Sequence, residues 1–580
     1  MVLVAYALAS AAITPLLPWL TAGYAGALAA LTGHPSGDVL VSGASLSFRP
    51  YVALLLVLLA VCAPGSGPAR LRLLVFSAGL YAVAAAVLDA LLLAAPSWAP
   101  SPLGPAGGVL AVLTGVVVVV VSIFTHRRLP GGLRVATRRP TSRTTAAVLP
   151  LCLLGAALLT AAWSAVEARL FGEVRVPFNG WLHEEPVLFV FSTVCLLWGL
   201  SALEQRAKPA HGPGLSVAFL VPAHNEAHAI AACIAALDTA AARHPGRCTA
   251  YVVDNASSDG TAGVARAALE GCLHVVGRVL DCPTPGKAKA LNFGLAHISD
   301  DVVVRIDADT LVEPDVLDEV VPWFWDRSVG GVGGFPLPKE NGPRWLRALR
   351  LAEVYSSIAF FRVAQSAIDG TTVMPGAIAA YRRRLVAELG GFGQGFNGED
   401  SDITMRIGRL GYRVVTDARV RARTECPATL AQLREQRQRW NRGRFHMAGR
   451  NLSSVGMCQG VRALGMLPAS LLNAGRRCLM VPLLACAAAV EATDPSVLSL
   501  REVFAVARLV VGFQVVMAVV LLAVHGDYRA LPYAPLTVLY RLVLAYIAFE
   551  TVLTLALRDA PRALAPRSPE VPRLIPGGLA

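Results

Sequence analysis

Residues 300–309 read DDVVVRIDAD, three valines and an isoleucine running into two aspartates one residue apart. A short apolar run of this kind predicts a buried strand, and Pro314 in the following TLVEPD marks its exit loop. Asp307 and Asp309 then stand at the carboxyl edge of that strand, where open α/β sheets bind ligands. On its own a D-x-D is more often a solvated turn or an aspartate cap on the next helix, so the flanking sequence has to decide.

Upstream the pattern alternates. LSVAFLVP (215–222) predicts a strand, NEAHAIAACIAALDTAAAR (225–243) a helix, TAYVVD (249–254) a strand and GTAGVARAAL (260–269) a helix. GKAKALNFGLAHI (286–298) predicts a further helix before the DDVVVRID strand, which makes a doubly wound α/β unit. Each strand ends on chemistry, with Glu226 after the first, Asp254 closing the second, and Asp307 and Asp309 after the third. Endings on one sheet edge converge on one crevice. Asp254 there could accept hydrogen bonds from a base or ribose. Asp307 and Asp309 could hold Mg2+ or Mn2+, hard cations bound through one or two carboxylates plus substrate phosphates. Lys287 and Lys289 would add positive charge, or simply solvate a helix start.

The rest of the chain is different in kind. Of 580 residues 55% are hydrophobic, too many for an ordinary soluble enzyme. Apolar stretches near 3–31, 51–63, 72–95, 108–125, 146–166 and 186–203 predict about six membrane helices, although 51–63 is short against the roughly 20 residues a bilayer core needs. Further spans are predicted near 464–491, 503–524 and 533–557. The first stretch has no basic residue before its apolar run, so a retained helix is expected rather than a cleaved signal. The loop HRRLPGGLRVATRRPTSRTT (126–145) carries six arginines and no acid, which places it in the cytoplasm and, by counting, residues 204–455 as well. Beside apolar spans that topological reading prevails over a nucleic-acid patch, and it accounts for much of the net charge of +13. Three C-terminal spans would leave the arginine-containing tail outside. GMLPASLLNAGRRCLM (465–480), with arginines in mid-run, is therefore expected to lie along the membrane surface. The eleven cysteines form no C-x-x-C and no zinc-like cluster, so neither a disulfide framework nor a structural metal is expected.

Two downstream stretches complete the set. FNGEDSDITMRIGRLGYRVV (396–415) places Glu399 and Asp400 on a glycine-flanked loop before a helix. Asp400 there could take a proton from an attacking hydroxyl, or the stretch could supply only a helix cap. REQRQRWNRGRF (434–445) presents Gln436, Arg439 and Trp440 on a helix, where an arginine could pair with phosphate and an indole could lie on a sugar ring.

Taken in order, VVDNASSDGT, DAD, GED and QRQRW resemble the D, D-x-D, (T/G)-E-D and Q-x-x-R-W signatures of the processive membrane-bound glycosyltransferases of family 2, which include hyaluronan, chitin, cellulose and poly-N-acetylglucosamine synthases. The resemblance covers roughly residues 215–450 and implies a GT-A fold, Rossmann-like with a mixed sheet, as a cytoplasmic domain between transmembrane bundles. The implied domains are membrane helices over 1–203, the transferase over 204–455, interfacial and membrane helices over 456–560, and a Pro-rich tail over 561–580. It implies a nucleotide-sugar donor, by family weighting UDP-N-acetylglucosamine, with inversion at the anomeric carbon, a divalent ion and export of a β-linked polymer at the plasma membrane. A growing glycan or lipid acceptor, membrane lipids and a small membrane partner subunit are the implied partners, with no nucleic acid. On that carry-over Asp254 binds the uridine and Asp307 and Asp309 the diphosphate and ion. Asp400 beside Glu399 is the base, and Gln436, Arg439 and Trp440 line the acceptor end. VMPGAIAAYRRRLVAELGGF (373–392) looks like the acceptor-side segment. About six helices before the transferase are more than bacterial members commonly carry. A non-processive transferase acting on a lipid, and a membrane transporter or receptor that merely binds nucleotides, are the alternatives.

Overall fold

The computed structural model describes residues 143–171, 184–208, 212, 214–340, 342–456, 461–471, 473–478, 480–481 and 500–554. The apolar stretches expected near 3–31, 51–63, 72–95 and 108–125, the basic loop as far as residue 142 and the tail from 561 lie outside the described residues.

Eight strands form one sheet: β1 Val217–Ala223, β2 Cys248–Asp254, β3 Val275–Asp281, β4 Val302–Ile306, β5 Leu311–Val312, β6 Val329–Pro338, β7 Ile378–Arg382 and β8 Arg413–Thr424. Their order is β3-β2-β1-β4-β7-β6-β8-β5. The first four pair in parallel, whereas β7 runs antiparallel to both β4 and β6. The sheet is therefore mixed, as a GT-A fold requires. Every residue of β1, β2 and β4 is buried, because helices cover both faces of the parallel half. Side-chain alternation sorts the core into two layers. Val217, Phe219 and Val221 join Val304 and Ile306 under Ile230, Ile234 and Leu237, whose spacing puts them on one face of the Ile230–Ala241 helix. Ala218, Leu220 and Val303 point the other way, against Leu291, Ile403 and Ile407. Each large aliphatic side chain so buried contributes about 1.5–3 kcal/mol.

The expected first helix is shorter than its sequence pattern. It begins at Ile230 rather than Asn225, because residues 225–228 tie two strand exits together. The Asn225 and Ala227 amides donate to Ser257 Oγ and Asp259 Oδ2, and Asn225 Oδ1 accepts from the Ser258 amide. Strands β3, β5, β6, β7 and β8 were not legible in the sequence; Leu311–Val312, expected in the exit loop after β4, instead pairs antiparallel with β8.

The C-terminal helices pack onto this domain. Phe335, Tyr355, Ile358 and Phe360 share a core with Ala518, Leu521 and Leu522 of the Leu500–Val524 helix. Leu346, Leu349 and Leu433 meet Tyr540 and Leu544 of the Thr537–Leu553 helix. The 465–480 segment packs through Leu467, Leu471, Ala474 and Cys478 against Phe445, Met447 and Ala548. Among the described residues one helical run, Tyr528–Val552, is long and apolar enough to cross a membrane. Large apolar side chains also face outward along the Arg143–Phe171, Glu184–Arg206 and Leu500–Val524 helices, with Leu151, Leu158, Leu203, Val516 and Val524 all more than half exposed.

Candidate active site

Because β2, β1 and β4 are parallel neighbours, their carboxyl ends open on one edge. Asp254 is paired in register with Ala223, the last residue of β1. Its Oδ2 accepts from the Ser257 amide at 3.2 Å, while its buried Oδ1 has no partner. An acceptor stripped of water and left unmatched is a ready place for a donor group of a ligand. The adjacent Asn255 accepts the Gly286 amide at 3.1 Å, holding the start of the Lys287–Leu295 helix over the crevice.

Asp307 and Asp309 leave β4 as expected. Lys287 reaches Asp307 with an ion pair of 2.6 Å, so the helix after Gly286 delivers a cation to the paired aspartates. Lys289 makes no ion pair among the described residues and is not brought to Asp307. Burial, and then the Asp307 charge, push the Asp309 carboxyl up, with Glu425 adding to it. Burial followed by Asp309 raises Glu226 in the same way. This is a patch short of positive charge. Among the described residues no three His, Cys, Asp or Glu side chains could hold a metal ion by themselves. Hard oxygen donors with uncompensated charge fit Mg2+ or Mn2+ only if phosphate oxygens complete the shell. Glu425, unmarked by any motif in the sequence, stands 3.6 Å from His228 on the same rim.

Glu399 and Asp400 are not on a loop before the helix but in its first turn. Gly398, at φ +94°, precedes the Glu399–Arg409 helix and lets the chain enter it sharply. Arg305, from the middle of β4 and 1% exposed, donates to Glu399 Oε1 at 2.8 Å. Inside VVVRI this arginine is masked by its apolar neighbours, although a charge in a fully buried strand is itself a signal. Burial alone would raise Glu399, but Arg305 and Lys287 outweigh it and hold that carboxyl below its usual range. Asp400 responds oppositely: burial, then the Glu399 charge, push it up. Two adjacent carboxyls driven apart in this way are the pattern of an acid–base site. Asp400 Oδ1 accepts the Ser401 amide at 2.7 Å. Its Oδ2 accepts no hydrogen bond among the described residues and faces Gly376, where an added Cβ would come within 3.3 Å of it and 2.9 Å of Arg305 Nη2. Gly376 belongs to the expected acceptor-side segment, and its missing side chain leaves space beside that oxygen.

Gln436, Arg439 and Trp440 lie on the Leu430–Gly456 helix. Leu433, Arg437, Trp440 and Arg444 recur at helical spacing along it. Arg437 is the buried arginine of the motif, bonded to Glu353 at 2.5 Å, whereas Arg439 is exposed. The Trp440 side chain is 50% exposed, with the Arg437 and Arg350 guanidinium groups 4.5 and 5.5 Å from its ring centroid. The helix presses on the acid pair backbone to backbone: a Cβ at Gly398 would meet the Gly443 carbonyl oxygen at 2.8 Å. Gly398→Ala combines that clash with a left-handed backbone, and is expected to lose about 1–3 kcal/mol of stability. Thermal unfolding of the purified protein in detergent checks this.

Comparison with known proteins points the same way. Residues 213–443 match the family model described as glycosyltransferase like family 2. An N-acetylglucosaminyltransferase of Rhizobium meliloti (strain 1021) is 30% identical over 262 residues, covering 41% of this chain and 60% of that protein. A poly-beta-1,6-N-acetyl-D-glucosamine synthase of Staphylococcus aureus (strain COL) is 28% identical over 171 residues, covering 29% of this chain and 41% of that one. Among solved structures, a mannosyltransferase from Pyrobaculum calidifontis in complex with GDP-Man and Mn2+ aligns with 62% of this chain and 95% of its own at 24% identity, with a TM-score of 0.43. The chain spans about 60% of the length of the first of these curated relatives. Four ordered motifs gathered along one mixed sheet and its flanking helices lie within residues 213–443, the stretch that carries the match to glycosyltransferase like family 2.

Proposed function

We propose that the protein is an inverting membrane glycosyltransferase that takes a sugar from a nucleotide donor, UDP-N-acetylglucosamine as the best choice, and adds it to a growing β-linked glycan on the cytoplasmic side for export. The observation that carries the reading is Asp400, a carboxylate raised toward neutrality with one oxygen open beside Gly376, on the rim where Asp254, Asp307 and Asp309 would receive a nucleoside diphosphate. Asp400 Oδ2 takes the proton of the acceptor hydroxyl as its oxygen bonds to the anomeric carbon. The bond from that carbon to the diphosphate breaks on the opposite face, and the nucleoside diphosphate leaves with the electron pair. A base whose ionisation lies nearer the working pH accepts a proton more completely. Arg305 keeps Glu399 charged beneath it, and Lys287 brings positive charge to the diphosphate side. Asp309, helped by Asp307 and substrate phosphate, would hold the divalent ion, which when bound offsets charge developing on the leaving group. A pure nucleotide-binding receptor has no use for an open base at this position.

Membrane placement is supported by the outward apolar faces of the flanking helices, which water would penalise and lipid would not. The 465–480 segment, packed on the transferase through its apolar face, suits the expected surface position. We assign the acceptor end to Trp440. Trp440→Ala should shorten the product while sparing donor hydrolysis, since ring stacking contributes about 1 kcal/mol beyond burial. Product length and nucleotide release, measured together in membranes with labelled nucleotide-sugar, test this. A wild type that adds one sugar and stops would replace polymer synthesis by single transfer to a lipid.

A further inference from the structure

Three helices meet at one carboxylate oxygen. Glu353 accepts at Oε2 from Arg350 Nη1 at 2.8 Å, from Arg437 Nη2 at 2.5 Å and from the Tyr540 hydroxyl at 2.8 Å. Arg350 stands one turn earlier on the same Arg344–Val354 helix, Arg437 belongs to the Leu430–Gly456 helix, and Tyr540 to the Thr537–Leu553 helix. All three donors are buried, and Tyr540 also joins Leu346, Leu349, Leu433 and Leu544 in the apolar core that the helices share. Among the described residues Glu353 is the carboxylate paired with each of the two arginines. Their Nε atoms are buried donors without an acceptor, so neither guanidinium is anchored from that side.

These two guanidinium groups are also the ones set against the Trp440 ring, at 4.5 Å for Arg437 and 5.5 Å for Arg350. Half of that side chain is exposed, so packing alone fixes only part of it. A cation is attracted to the ring quadrupole of an indole, and a planar guanidinium can lie along the ring as an ammonium cannot. Two like charges stay together beside one ring only while a carboxylate compensates both. Without it each is a buried charge with no partner, which is strongly disfavoured, and both would turn toward water and release the indole. We propose that Glu353 is a positioning residue for sugar transfer, which touches no substrate but, by holding Arg350 and Arg437, sets the angle at which Trp440 receives the acceptor sugar. The inference rests on the assignment of the acceptor end to Trp440 given above. Tyr540, bonded to the same oxygen, makes the Thr537–Leu553 helix part of that setting.

The test uses the full chain in nanodiscs with labelled UDP-N-acetylglucosamine, measuring UDP release and product length together. Glu353→Gln should keep UDP affinity and donor hydrolysis, and lower the share of sugar that enters glycan by about 3- to 10-fold, with a shorter product. Glu353→Asp keeps the charge and should recover part of the loss. The ring itself separates positioning from a general structural role. With fluorotryptophan in place of the nine tryptophans, the fluorine resonance missing from Trp440→Ala is that of Trp440, and in Glu353→Gln it should shift while the others stay. In the Trp440→Ala background Glu353→Gln should change product length no further. A Trp440 resonance that does not move, or the same fold-loss with and without the Trp440 ring, would overturn the proposal alone. If Glu353→Gln loses UDP binding through misfolding, the same two comparisons on Glu353→Asp decide. A Trp440→Ala product as long as that of the wild type would instead overturn the acceptor assignment, and this inference with it. A wild type that turns over no nucleotide-sugar would overturn the transferase reading.

Discussion

Asp400→Asn is expected to bind nucleoside diphosphate as the wild type does and to transfer sugar about 10²- to 10⁴-fold more slowly, the usual worth of a general base. Calorimetric titration with UDP and a transfer assay on the same preparation separate the two. If UDP binding is lost in parallel with transfer, Asp400 is a structural residue. The pH profile adds a second reading. The base must be ionised to act, so kcat/KM rises with pH through the ionisation of Asp400. Burial and the Glu399 charge raise that ionisation, which places the acidic limb above the range of an ordinary aspartate. Glu399→Gln removes the repelling charge but keeps the burial and Arg305, so the limb should move to lower pH. An unmoved limb would take the base role away from Asp400.

Asp309→Asn should lower turnover by orders of magnitude and abolish the dependence of UDP affinity on Mn2+. The carboxyl is raised by burial and by Asp307, and it makes no ion pair among the described residues. The amide removes the charge that attracts the ion while preserving shape. Asp307 is already bonded to Lys287, so Asp307→Asn should instead free that lysine and weaken UDP binding with or without metal. Full wild-type activity in chelator, or Mn2+-dependent UDP binding that survives Asp309→Asn, would remove the ion from this site.

The parts of this site legible in sequence are those where the local pattern and the tertiary role agree. Strands β1, β2 and β4 are largely apolar runs because both of their faces are covered, and their polar ends stand out as candidate site residues for that reason. Strand β6 was not legible. Its sequence VGGVGGFPLP reads as a loop, yet the glycines serve packing: a Cβ at Gly331 would strike the Met374 sulfur at 2.9 Å, and one at Gly334 the Val420 carbonyl at 2.8 Å. Local propensity was overridden by crowding that only the fold creates. Arg305 was hidden by the apolar run around it. On the Leu430–Gly456 helix the motif drew attention to Arg439, but helical phase buries Arg437 instead. The expected set of Glu226, Asp254, Asp307 and Asp309 stands on one rim, while Glu353, Arg437 and Tyr540 come from segments too far apart in sequence to suggest one another.

The contact between Gly398 and Gly443 has a consequence for how the molecule tolerates change. Two bare stretches of backbone touch there, so no side chain can yield to absorb an error in spacing. The Leu430–Gly456 helix, about 40 Å long at 1.5 Å per residue, is a stiff rod clamped at that point, and any slide or roll of the rod is felt at the turn that aims Asp400. On the proposed function, the acceptor end at Trp440 and the proton acceptor Asp400 would thus be held to one shared tolerance. Diversification among such proteins should accumulate in the loops and at the far ends of the rod, and spare the joint.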